Sequence, residues 1–107
     1  MIDQQRAEKA LDFLAHTDES CAKARSYMLG LEKNEKTILS IEILKVDGTQ
    51  QHKESIARTS QPYVDWVKQY QEAVYDFEIL RNRRGTAELI VEAWRSVNAN
   101  RRAGNIT

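Results

Sequence analysis

The chain has one proline, four glycines and one cysteine in 107 residues, and each scarcity closes off a class of structure. Few turn-forming residues leave multi-stranded sheets and long loops poorly supplied. A lone Cys21 makes no internal disulfide, and with only His16 and His52 beside it a zinc site built from His and Cys is excluded. There is no excess of either charge, because Lys+Arg 16 balances Asp+Glu 16, so bulk polyelectrolyte behaviour is absent. No apolar run approaches the roughly 18 to 20 residues of a membrane span, and Met1-Ile2-Asp3-Gln4-Gln5 is too polar for a signal-peptide core. A cytoplasmic protein with no membrane association is expected.

What is present is helical periodicity. Ala7, Ala10, Leu11 and Leu14 recur at helical spacing with Phe13 beside them, predicting a short helix over about 3–15. Thr17-Asp18-Glu19 reads as a fresh start, a hydroxyl cap followed by acids at the positive end of a helix dipole. A second helix is therefore expected over about 18–46, built on Ala24, Tyr27, Met28, Leu31, Ile38, Ile41 and Val46 and stopped by Asp47-Gly48. The β-branched stretch 38–46 partly alternates like a strand, but it has no pairing partner and is assigned to the helix.

Residues 49–60 read as a connector with one helical turn near 54–58, where Ile56 and Ala57 tuck against the long helices. Ser60-Gln61-Pro62 then opens a third helix over about 61–102. Its stripe is Tyr63, Trp66, Val67, Tyr70, Ala73, Val74, Phe77 and Leu80, resumed by Ala87, Ile90, Val91, Trp94 and Val97. Gly85 costs about 1 kcal/mol in a helix interior, which predicts a kink or local fraying over Arg83-Arg84-Gly85-Thr86.

The fold class expected is all-α: one domain over 1–107, a long antiparallel, coiled-coil-like helical hairpin with a short N-terminal helix. A hairpin buries only one stripe per helix, and Trp66, Tyr70, Phe77 and Trp94 need more cover than that. These four are the expected helical interface, completed by a second copy in a homodimer.

Catalytic patterns are missing. The pairs Glu72 with Asp76 and Glu88 with Glu92 lack the Glu-x-x-His partners of a di-metal bundle, and read as solvated faces pairing with nearby bases. Cys21, placed one turn into the second helix, could feel its dipole but is better read as a small buried hydrophobe. No phosphate loop, nucleophile elbow or dinucleotide fingerprint occurs. No enzyme activity, cofactor or metal is expected.

Charge is informative locally. Residues 61–80 carry Asp65, Glu72, Asp76 and Glu78 against Lys68, net −3. Residues 81–107 carry Arg81, Arg83, Arg84, Arg95, Arg101 and Arg102 against Glu88 and Glu92, net +4. Arginine forks clamp carboxylates or phosphates. These six arginines with Asn98 are the candidate contact residues, either for a protein, including the acidic stretch of an antiparallel second copy, or for nucleic-acid backbone. Changing Arg83 and Arg84 together to Glu is expected to abolish partner binding with helicity intact.

The closing run Glu92-Ala93-Trp94-Arg95-Ser96-Val97-Asn98-Ala99-Asn100-Arg101-Arg102 resembles the ending of a group of small phage and prophage proteins of uncharacterised function. Leu11-Asp12-Phe13-Leu14-Ala15 with Thr17-Asp18-Glu19 resembles that group's opening, and Gly48 with Ser55-Ile56-Ala57-Arg58 its middle. The resemblance transfers no activity or site residue. It implies a setting among phage early, replication or recombination genes, and hence an accessory protein that binds phage or host DNA-metabolism or defence machinery.

Overall fold

A computed structural model describes residues 2–105, and all regular structure among them is α-helical: α1 (Gln4–Ile43), α2 (Gln50–Thr59) and α3 (Gln61–Asn105). The all-α helical-hairpin class stands. The division into a short first helix and a second one does not, because α1 runs through His16 and Thr17 without interruption. Those two side chains bond back into their own helix instead of opening a new one. Thr17 Oγ1 donates to the Phe13 carbonyl at 2.7 Å, and the His16 Nδ1–H donates to the Asp12 carbonyl at 2.8 Å. The true start is capped by Asp3, whose carboxylate accepts from the Arg6 amide at 2.8 Å.

Residues 38–43 are helical as expected, but the helix stops at Ile43, short of 46. Lys45 and Val46 donate to carbonyls three residues back, a tightened last turn. Gly48 follows with φ 127°, a conformation that L side chains rarely adopt. The connector holds more helix than one turn: Thr49 caps α2 by accepting from the His52 amide at 3.2 Å, and ten residues follow. Ala57 there is fully buried, whereas Ile56 stays exposed. Ser60 closes α2 and its carbonyl accepts the Val64 amide of α3. Helix α3 continues through Gly85 to Asn105, so the helix does not fray at that glycine.

Packing divides the chain into two compact units, unit 1 (Met1–Ala22 with Glu78–Thr107) and unit 2 (Lys23–Phe77). Within each, α1 and α3 segments run antiparallel. In unit 2 the pairs Glu35 with Tyr63, Leu31 with Trp66 and Tyr27 with Gln69 step in opposite directions. In unit 1 Ala10 meets Ala87 and Val91, and Leu14 meets Arg84.

Unit 2 buries Leu31, Trp66 and Ala73 among Met28, Ile38, Tyr63, Val67 and Tyr70. Trp66 stacks between Tyr63 and Tyr70, with centroids 5.5 and 5.3 Å away, and its indole N–H donates to the Leu31 carbonyl at 2.7 Å. The buried apolar set includes Ala7, Ala10, Ala57, Ala73 and Ala87. Small residues at the contact let helix backbones approach closely, but they bury little area each.

Candidate functional site

Unit 1 holds every expected arginine contact residue, all on α3 from Arg81 onward, and the structure assigns them different work. Arg84 faces inward, its side chain 18% exposed. It donates to the Leu14 carbonyl at 2.8 Å and to Thr17 Oγ1 at 2.6 Å, and pairs with the Asp18 carboxylate. The two terminal nitrogens of one planar guanidinium serve these three acceptors together. Arg84 thus ties α3 to α1, and changing it with Arg83 is not a clean test of binding.

The others lie at the surface. Arg81 pairs with Glu78 at 3.5 Å and Arg95 with Glu92 at 3.2 Å, each three residues back along the same helix. Exposed pairs of this kind are worth under about 1 kcal/mol and are readily exchanged for a partner's carboxylate. Arg83 is exposed and makes no ion pair among the described residues. Arg102 is exposed in the last turn, where a cation suits the helix dipole. Asn98 and Arg101 line a depression of about 170 Å³ together with Trp94, Val97 and the segment Ile2-Asp3-Gln4.

The four aromatics separate as well. Trp66 and Phe77 are buried within unit 2, and Tyr70 is half-buried against the Trp66 ring. Trp94, half-buried, belongs to unit 1. Much of the cover expected from a second copy is supplied by the chain itself. The exposed large apolar side chains are different ones: Leu11 and Leu89 in unit 1, and Tyr27, Ile41, Leu44, Ile56 and Tyr75 in unit 2.

Cys21 is mid-helix once α1 is continuous, so no helix N-terminus acts on it. It lines an open depression with Gly85, Arg81 and Leu89. Among the described residues no group of three or more His, Cys, Asp or Glu side chains is placed to hold a metal. No helix of the described residues is long and apolar enough to cross a membrane.

One feature of unit 1 was not anticipated. A groove of about 370 Å³ runs between Arg6, Lys9, Ala10 and Phe13 of α1 and Arg83, Thr86, Ala87 and Ile90 of α3. Each wall is the same i, i+3, i+4, i+7 helical stripe. The signal was therefore in the sequence, hidden because the cations at its edges read as ordinary solvated positions. Two alanines leave the floor low between Phe13 and Ile90, and no carboxylate lines the groove. Among the described residues Arg6, Lys9 and Arg83 make no ion pair.

Compared with known proteins, the chain matches no family model, no curated protein and no solved structure.

Proposed function

We propose that this is a non-enzymatic phage or prophage accessory protein, working in the host cytoplasm as a homodimer and acting by occupancy of another protein, one of phage or host DNA metabolism or defence. The observation behind this reading is the exposed face of unit 1. There the weakly paired Arg81 lies beside the apolar side chain of Leu89, 71% exposed, at one depression, while Arg83, Arg95 and Arg102 are exposed elsewhere on α3. Arginines beside an apolar contact are typical of protein interfaces, where the apolar group is covered and the guanidinium forks orient the partner. The phage setting rests on the resemblance of the opening, middle and closing sequence motifs.

The test is capture of partners from bacterial lysate by the tagged protein, with and without nuclease, alongside an Arg81→Glu/Arg102→Glu variant. The reading expects one stoichiometric protein that survives nuclease and is lost from the variant. Equal capture by the variant would refute the placement of the site.

A second reading has its own support, the net +4 over residues 81–107 with every base an arginine. On that reading the same helix end grips nucleic-acid phosphates. Affinity for DNA or RNA must then fall steeply between low and moderate salt, since phosphate contacts release counterions.

A further inference from the structure

The apolar groove of unit 1 has a charge pattern that asks for a particular occupant. Its floor takes an aromatic or aliphatic side chain, and its antiparallel walls place Arg6 and Arg83 toward opposite ends, with Lys9 between. Three cations around a groove that no carboxylate lines repel one another and favour an acidic partner.

Such an element is present in the chain itself. On α3, Tyr75 stands 66% exposed, the most exposed aromatic side chain in unit 2. Glu72 lies one turn before it and Asp76 directly after it; both are exposed, and neither makes an ion pair among the described residues. Lys68 is the single cation on that face. The face is the chemical converse of the groove, an aromatic anchor flanked by uncompensated carboxylates. A tyrosine suits a shallow slot, because its ring fills the apolar floor while the phenol stays at the wet rim.

We propose that the groove between Ala10, Phe13, Ala87 and Ile90 receives Tyr75 of a second copy of this chain, whose Glu72 and Asp76 pair with Arg6, Lys9 and Arg83. This rests on the self-association in the functional reading and names its surfaces. Arg83 then serves the contact between copies, and Arg81, Arg95 and Arg102 are left to other partners.

The test is the mass in solution by light scattering and sedimentation equilibrium, for the full chain and two charge-reversed variants. One is Arg6→Glu/Lys9→Glu/Arg83→Glu, the other Glu72→Lys/Asp76→Lys. All five positions are exposed, so circular dichroism should match the unaltered chain. The full chain is expected to exceed 12.4 kDa at tens of micromolar and to dissociate as salt rises. Each variant alone should weaken association at least tenfold, and an equimolar mixture of the two should recover it, because each then meets a surface of opposite sign. Tyr75→Ala should weaken association without changing helicity.

Undiminished association of either variant, or a mixture that fails to re-associate, overturns the groove assignment while leaving self-association by another surface standing. A full chain monomeric at every concentration overturns both, and leaves binding to a different protein to the capture experiment. If a variant misfolds, a photo-crosslinking residue at position 75 of the otherwise unaltered chain decides. Crosslinks to peptides containing Phe13 or Ile90 support the assignment, and crosslinks elsewhere refute it.

Discussion

Arg84 is the residue whose chemistry differs most from what its neighbours suggest. It sits in a run with Arg81 and Arg83, yet its guanidinium is largely withdrawn from solvent and satisfied by α1. Arg84→Ala is expected to lower unfolding free energy by about 2 kcal/mol, since charge-assisted hydrogen bonds are lost and the Leu14 and Thr17 acceptors are left beside a gap. Asp18→Ala should cost under about 0.5 kcal/mol, because that carboxylate is 70% exposed. Urea denaturation of the two variants separates the contributions. Gly85 makes the opposite case. It is inside α3, and a Cβ built there meets nothing within 4 Å. Gly85→Ala should therefore raise stability by roughly 0.5 to 1 kcal/mol, read as a higher urea midpoint. At Gly48 the same change should destabilise, since φ is positive and the new Cβ would press on the His52 ring at 3.1 Å.

Among the elements, the junction of α2 and α3 joins three polar groups. Tyr63 donates its phenol proton to Glu35 at 3.0 Å and accepts from Arg58 at 3.4 Å. Burial, then the hydrogen bond and charge of Glu35, raise the phenol above its ordinary value of 10.0, against the smaller opposing pull of Arg58. Because the folded value is the higher one, the stability contributed by Tyr63 is full below about pH 10 and is lost as pH rises through the raised value. Tyr63→Phe should flatten that alkaline loss in a stability-versus-pH series, and Glu35→Gln should diminish it.

The start of α3 was legible from its local signal, Ser60-Gln61-Pro62, and Asp47-Gly48 located the end of α1 to within a few residues. The break expected at Thr17 failed because a threonine hydroxyl serves equally as a cap or as a bond to the carbonyl four residues back, and only tertiary contact with Arg84 selects between them. The ten residues of α2 were underestimated since its apolar content is little more than Ile56 and Ala57. The arginine cluster was visible in the sequence, but the inward turn of Arg84 was not, for nothing local distinguishes it from Arg83. The groove walls were visible as spacing, and only antiparallel pairing of distant segments makes them face each other.

At the scale of the molecule, no large side chain among the described residues is fully withdrawn from solvent, and alanines make up much of the buried apolar set. Stability therefore rests on a few larger anchors. Trp66→Ala should cost about 3 to 5 kcal/mol and could unfold the chain, while Trp66→Phe should cost about 1 to 2 kcal/mol, both measurable by thermal and urea melts. Seams of small residues also offer little resistance to sliding by one helical turn. The defence against slippage is the pair of donors that α3 sends across, the Trp66 indole in unit 2 and the Arg84 guanidinium in unit 1. Both end on main-chain carbonyls of α1, at Leu31 and Leu14. A carbonyl is common to all twenty amino acids, so no substitution at 14 or 31 can delete the acceptor. Over generations the α1 side of this lock keeps its acceptors through any change of side chain, with Leu31 still held by its place in the unit 2 core, whereas the two keys on α3 have no such latitude.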